Sequence, residues 1–511
     1  MQLPPVLAVA TVVTACVAAR AQFSTVDLRT DRTVENVPIN IGTRRELFVD
    51  NHLIDKLDGV SLKLHEPHPA GIAIAHDEPW EQVRRLNFFT TALRADDTCR
   101  MYYDSQAGWI GYAESPDGIQ WTKPRLGFVE IDGSTANNIM LKNAVRFLPF
   151  LDTRPGVPAD ERFKANAVGD KGLVGYVSSD GIRWRKLRDE PIVTSTIYNS
   201  FDSQNVMFWS EVEQKYVLYA RHMEDGRRAT MRAVSENFLD WTRPTPMTYS
   251  DTGSTTPSAN LYTNQTQPYF RAPHIYLALP ARIFFADTNH IVREDDIAAA
   301  NQKVVTPELR RFVKENLPPH RRLSTHSAGD HADAVLLSTR AGSTQFDFNF
   351  LESFIRPGIG LENWTTRTNY PACGIIQTSP TEISLYVQRH FAQATGHVQR
   401  MTLRLDGFAS VHAPFAGGQM LSKPLTFSGR ELEINYSTSA AGSIRVELQR
   451  PDGSPVAGYS LAECVEMTGD SIGHVVLWRE KRSDLSDRSG EPIRLKFAMK
   501  DADLYALRFR E

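Results

Sequence analysis

From Arg45 onward the chain is a succession of short apolar or alternating runs, each closed after a few positions by Gly, Pro or an Asp-Gly pair. That texture predicts many short strands joined by tight turns, and few helices. One unit stands out. Met101-Tyr-Tyr-Asp104, followed by Trp109-Ile-Gly-Tyr-Ala-Glu-Ser115-Pro-Asp-Gly-Ile-Gln-Trp121, reads as strand, strand, Asp-Gly turn, strand. It recurs as Gly172-Leu-Val-Gly-Tyr-Val-Ser-Ser179-Asp-Gly-Ile-Arg-Trp184 and, degraded, as Arg232-Ala-Val-Ser235-Glu-Asn-Phe-Leu-Asp-Trp241. Trp121, Trp184 and Trp241 follow at intervals of about 60 residues, the length of a four-stranded propeller blade with long loops.

A fourth copy runs through Ala334-Val-Leu-Leu-Ser-Thr-Arg-Ala-Gly342 and Phe346-Asp-Phe-Asn-Phe350. It is delayed by a polar segment, Asp287 to Asp330, that contains a helical stretch at Pro307–Asn316 and reads as an insertion. A fifth unit, beyond Tyr370, offers only three strands, at Gly374, Ile383 and Val398. A propeller ring with an open edge invites pairing with another molecule, so the other end of the chain is expected to supply the missing strand, through Glu46–Asp50 or Val60–Leu64. Beyond Asp406-Gly407, alternating segments such as Glu431-Leu-Glu-Ile-Asn-Tyr436 and Leu504-Tyr-Ala-Leu-Arg-Phe509 predict a β-sandwich. The expectation is an all-β protein: a five-bladed β-propeller over 22–406, with the helical insertion at 287–330, and a C-terminal β-sandwich over 407–511.

The first 21 residues read as an address. Val6 to Ala19 is apolar but too short to span a membrane, and Ala19-Arg20-Ala21 is a small-x-small cleavage site. Val13-Thr-Ala-Cys16 also fits a lipobox, with Cys16 as the acylated residue, so export is expected by either route, to the periplasm or the medium. No later apolar run has the length of a membrane-spanning helix. Past the cleavage point three cysteines remain, Cys99, Cys373 and Cys464, and an odd number favours buried thiols over a disulfide framework.

Composition narrows the function classes. A chain of 511 residues exceeds a single core, and 57 Lys+Arg against 60 Asp+Glu, with no basic run, excludes a nucleic-acid footprint. Phosphate loops, dinucleotide fingerprints, His-Glu-x-x-His and Gly-x-Ser-x-Gly are all absent from the sequence.

The repeat Tyr-Tyr…Ile-Gly-Tyr-Ala-x-Ser-x-Asp-Gly-Ile-x-Trp resembles the blade motif of five-bladed β-propeller glycosidases, the superfamily of glycoside hydrolase families 32, 43, 62 and 68 and the related mannoside phosphorylases. Arg45-Glu-Leu-Phe-Val-Asp50, Phe201-Asp-Ser-Gln-Asn205, Arg271-Ala-Pro-His274-Ile-Tyr, Phe354-Ile-Arg-Pro-Gly358 and Asp501-Ala-Asp-Leu-Tyr505 are similar to segments of secreted propeller proteins of polysaccharide-degrading bacteria. The likeness spans 44–511, nearly the whole mature chain. It implies a glycoside hydrolase acting on a poly- or oligosaccharide, with one acid on the inner strand of each of the first three blades. The rival from another class is a carbohydrate-binding propeller without a working acid pair. Phosphorolysis is disfavoured because no phosphate-binding basic cluster stands out. No cofactor is expected; related propellers hold Ca²⁺, but no acidic cluster of this sequence supports one.

Glycoside cleavage needs two carboxyl groups flanking the bond, one protonated and one ionised. The implied acids are Glu81, beside Asp77 and Glu78, in blade one, Asp152 in blade two and Asp202 in blade three, with Asp202 the strongest. Gln204 and Asn205 follow it as polar neighbours. Competing structural readings are a solvated Glu81, a loop-starting Asp152 and a turn-capping Asp202. Blade four adds Tyr262, Asn264, Arg271 and His274. Arg271 suits the sulfate or carboxylate of an anionic sugar, or equally a salt bridge to one of the catalytic acids. His274 reads more readily as a buried core histidine. Glu382 in blade five is a substrate-binding candidate or a hairpin-tip acid, and His326, His331 and Asp333 suggest a lid or a cation site but read more readily as solvated loop residues. Trp80, Trp109, Tyr198 and Tyr262 are candidate stacking platforms for sugar rings.

Overall fold

The computed structural model describes residues 37–82, 89–106, 108–196, 200–285, 306–317 and 330–511. The expected export segment, Tyr198, His326 and most of the insertion lie outside the described residues.

Five antiparallel sheets form the blades of a propeller. Blade one is Thr90–Ala95, Thr98–Gln106, Trp109–Ser115 and Ile139–Lys142, in that order from the axis outward. Blade two repeats the order with Val145–Leu151, Phe163–Gly169, Gly172–Ser178 and Arg185–Lys186, and blade three with Val206–Ser210, Lys215–Glu224, Arg227–Ser235 and Thr245–Pro246. Blade four pairs Gln267–Tyr269, Ala272–Ala278 and Leu337–Arg340. Its middle strands continue into a two-stranded ribbon, Ala281–Phe284 with His331–Ala334, from which the insertion leaves. Within the insertion, Pro307–Asn316 is helical, capped by Thr306, whose side chain accepts from the Leu309 N–H.

The Asp-Gly turns show why the repeat has its sequence. Ser115 Oγ accepts from the Gly118 N–H at 2.8 Å, Asp117 Oδ1 accepts from Ile119 at 2.7 Å and Gln120 at 3.0 Å, and Trp121 Nε1 donates to the Gly118 carbonyl at 3.2 Å. Ser178, Asp180, Gly181 and Trp184 repeat the same bonds. Gly118 and Gly181 need the left-handed backbone, with φ of 75° and 71°. In the degraded copy Phe238 takes that conformation, at φ 70°, and is held by complete burial in the blade-three core. These turns lie at the ends of outer strands, so they are structural.

Blade five closes the ring. Tyr370–Pro371 and Ile376–Gln377 pair with Glu382–Arg389, which pairs with His397–Arg404, and the outermost strand is His68–Ala75 from the other end of the chain. Closure by the N-terminal region was expected, but not through this strand. Glu46–Leu47 and Ser61–Leu64 instead pair with Arg494–Arg510 and Ala409–Ala413 in the sheet of the sandwich, as Ile54–Asp58 pairs with Gly418–Ser422. The sandwich sheet thus draws on both ends of the described chain. Its long strands, Glu431–Gln449 and Arg494–Arg510, pair over most of their length around a core that includes Trp478, Phe497 and Phe509. A second core, from Leu47 and Phe408 to Tyr269, Leu277 and Leu385, joins sandwich and propeller.

Every inner strand starts at the same end of the ring, and there the segments around Phe89, Arg146, Asp202, Tyr262 and Tyr370 converge. Just inside, two amides cross the axis. Gln204 Nε2 donates to Thr91 Oγ1 at 3.1 Å and to the Phe147 carbonyl at 3.4 Å, and its Oε1 accepts from Gln265, which also donates to the Pro371 carbonyl. This bridge touches the inner-strand regions of all five blades and forms the floor of a funnel.

Candidate active site

The funnel is built from the starts of the inner strands. Phe201, at φ 65°, buries its ring and leaves the next side chain, Asp202, a third exposed at the mouth. Asn205 fixes this loop by donating to the Phe201 and Ser203 carbonyls at 3.0 and 2.8 Å. Asp202 does not act as a turn cap. Its Oδ1 accepts from Arg146, and Arg221 Nη1 donates both to its Oδ2 at 2.9 Å and to its main-chain carbonyl at 2.6 Å.

Arg146 opens the inner strand of blade two at a break in register, with φ of 58°. It serves two acids, because Asp104 of blade one lies within its electrostatic reach. Asp104 is 7% exposed, its N–H donates to the Phe89 carbonyl at 2.9 Å, and its carboxyl faces the Phe89 N–H. Burial raises its pKa to about 7 against the pull of Arg146 and of that hydrogen bond. Asp104 was not among the residues singled out in the sequence, although it ends the very strand that defines the repeat. Its signal was an acid following the apolar Met101-Tyr-Tyr.

Two more groups complete the mouth. Tyr262 is buried beside Tyr370, with ring centroids 5.3 Å apart, and the guanidiniums of Arg221 and Arg228 lie 5.4 and 5.2 Å from its ring. Arg146, Arg221 and Arg228 are scattered in sequence and cluster only through the blade register. The basic cluster missing from the sequence therefore exists in the fold.

The other expected acids lie elsewhere or are fully engaged. Glu81, in the turn Pro79–Gln82, has no exposed surface and is held by Lys123 Nζ and Tyr103 Oη, each at 2.8 Å. Burial raises its pKa, opposed by these two partners. Asp152 follows the far end of the strand whose start holds Arg146, roughly 20 Å along an extended chain. There it is buried against Lys164 Nζ at 2.8 Å and Tyr216 Oη at 2.6 Å, so it is a structural ion pair and not a funnel acid. Glu382 starts the strand whose opposite end is Arg389, and it pairs with Arg400 and Thr378 away from the mouth.

Arg271 and His274 also prove structural. Arg271 lies 3.3 Å from Asp406 at the junction with the sandwich, an acid outside the expected catalytic set, so its salt bridge is not the one the sequence suggested. His274 Nε2 meets Glu46 Oε1 at 2.9 Å in the same junction. Gln204 and Asn205 serve the floor and the loop as described, and Asn264 is buried, donating to the Tyr219 carbonyl. Trp80 is half-buried, donating to Asn138 Oδ1 at 3.1 Å, while Lys142 covers the ring of Trp109 at 4.2 Å. Asp333 is bound by Arg282, and His331 stacks on Phe284. Of the expected site residues, Asp202 and Tyr262 stand together at the mouth.

Cys99, Cys373 and Cys464 are free and buried. Among the described residues no group of three or more potential ligands gathers for a metal ion, and no helix is long and apolar enough to cross a membrane.

No family model and no curated protein matches the chain. Solved structures do. One is a glycoside hydrolase family 43 arabinoxylan arabinofuranohydrolase from Bacillus subtilis, at 11% identity over 85% of this chain and 97% of that one, with a TM-score of 0.37. A family 32 β-fructofuranosidase from Bombyx mori aligns at 12% identity over 87% and 94%, with a TM-score of 0.35. An N-acetylgalactosamine deacetylase from F. plautii aligns at 9% identity over 66% and 96%, with a TM-score of 0.41. At such scores the reaction has to be argued from the funnel's own residues.

Proposed function

We propose that the protein is an exported glycoside hydrolase in which Asp104 is the general acid and Asp202 the second carboxylate of the pair. The carrying observation is that two carboxyl groups share Arg146 in opposite environments. Asp104 is buried and keeps its proton to about pH 7, while Asp202 is open to the funnel and clasped by two guanidiniums. A buried carboxyl that keeps its proton, beside a second carboxyl open to the funnel, meets the requirement for protonating a leaving oxygen with one and facing the developing positive charge with the other. Arg146 sets the order of events: it stabilises the anion that Asp104 becomes after donating its proton. Tyr262, itself buried, holds the guanidiniums of Arg221 and Arg228 against its ring and so positions them at the mouth. Export rests on the apolar stretch Val6–Ala19 and the sites that follow it.

The test is release of reducing ends from a panel of neutral, uronic and sulfated glycans by wild type, Asp104→Asn and Asp202→Asn. Wild type releases ends from at least one glycan, and each variant is slower by about 10²–10⁴-fold. Binding without release by wild type would make the protein a carbohydrate-binding propeller instead.

A further inference from the structure

We propose that the funnel contains an oxyanion subsite, formed by Arg228 together with Arg221 and Arg146, that receives a sulfate ester or uronate carboxylate carried by the sugar. The inference rests on the glycosidase reading and names its substrate class.

Arg228 is the anomaly that points there. It lies in the third strand of blade three and is 7% exposed, yet its guanidinium has no hydrogen bond and no ion pair among the described residues, and its Nε is buried without an acceptor. What holds it are two rings, Tyr262 at 5.2 Å and Phe285 at 5.0 Å. Burying a guanidinium costs free energy unless an anion meets it, and among the described residues no carboxylate pairs with this one, Asp202 acting on it only at longer range. A structural arginine would spend its five N–H groups on carbonyls or carboxylates, as Arg389 does on Asn369, Gln399 and two main-chain oxygens. Arg228 is instead fixed by its faces, which leaves the donor edge for a ligand.

The surrounding charges favour an anion as well. Burial first, and then the positive charge of the neighbouring Arg221, pull the pKa of Arg228 down to about 10, opposed by Tyr262, Tyr370 and Asp202. Arg146 and Arg221 also keep buried Nε atoms without acceptors. Against three guanidiniums stand Asp202 and an Asp104 that is largely protonated below pH 7. Glu224 is engaged by His222 at 2.5 Å, and Asp330 faces Tyr370 of blade five. A guanidinium fork matches the paired oxygens of a carboxylate or sulfate, so an anionic substituent docks here while the ring lies on the Tyr262 side of Asp202.

The same chemistry would accept free phosphate, so the test has an arm for each source. Affinities of wild type, Arg228→Met and Arg228→Lys are measured for chondroitin sulfate against its desulfated form, for polygalacturonate against its methyl ester, and for inorganic phosphate, all at equal ionic strength. The expected result is at least tenfold tighter binding of one charged polymer than of its neutralised counterpart, with the difference lost in Arg228→Met and in Arg228→Lys, which keeps the charge but not the fork. Melting of Arg228→Met should be unchanged or higher, because an unpaired buried cation is removed; if that variant fails to fold, Arg228→Lys decides. Equal binding of charged and neutral polymers, or a preference that survives both substitutions, overturns the subsite. Arg228-dependent phosphate binding, with sugar phosphate as the product, overturns the sugar-borne assignment. Charge-selective binding with no reducing ends released would leave the subsite standing and remove the hydrolase.

Discussion

At the scale of single residues, Asp104 shows most simply how a buried funnel carboxyl costs the fold stability. Its carboxyl titrates near 3.8 when exposed and at about 7 in the folded protein, so the folded state holds a proton that the unfolded chain gives up across that window. Stability is therefore highest below pH 4 as far as this group is concerned, and falls as pH rises toward 7. Asp104→Asn keeps the shape and removes the penalty. It should gain about 2–4 kcal/mol at pH 8 and nothing at pH 4, read from urea unfolding at the two pH values. Asp202 was legible in the sequence because an acid between Phe201 and Gln204-Asn205 stands at the start of an inner strand. Asp104 and the arginines were not, because each borrows its role from a partner in another blade: Asp104 from Arg146, Arg146 from Asp202, Arg228 from Tyr262.

Among the elements, the Ser-x-Asp-Gly-x-x-Trp turns were readable because every bond in them is local. The closing strand was not. His68-Pro-Ala-Gly-Ile-Ala-Ile-Ala75 carries a Pro and a Gly, and its first five residues are exposed, so it lacks the alternation that marks a strand. Only its pairing with His397–Arg404 makes it one. Ile74, 2% exposed among Met101, Tyr386 and Val398, is where this strand seals blade five against blade one. Ile74→Ala should cost about 2–4 kcal/mol, measured by chemical denaturation, and leave the ratio of turnover on charged and neutral glycans unchanged.

For the whole molecule, the decisive fact is that the two ends of the described chain meet in one sheet, which packs against the ring through a shared core. Asp406 is the pin. It has no exposed surface, accepts from Tyr269 Oη at 2.8 Å and lies 3.5 Å from Arg45 and 3.3 Å from Arg271. Asp406→Asn leaves Arg271 without its anion, while Arg45 keeps Glu433 at 2.6 Å, and should cost about 3–5 kcal/mol in equilibrium unfolding, without altering substrate charge preference. Arg271 looked like a substrate ligand from sequence because Arg is the residue that grips sugar-borne anions. Its true partner lies more than a hundred positions away and became visible only once sandwich and propeller were docked. The proposed reaction belongs to the opposite end of the ring, where the inner strands start. Its most direct test is the pH dependence of reducing-end release by wild type and Asp104→Asn, on whichever glycan the wild type cleaves. If Asp104 is the acid, wild-type turnover falls as pH rises through about 7, and the variant is about 10²–10⁴-fold slower with that limb gone; a wild-type rate that climbs above pH 7, or an Asp104→Asn protein as fast as wild type, contradicts it.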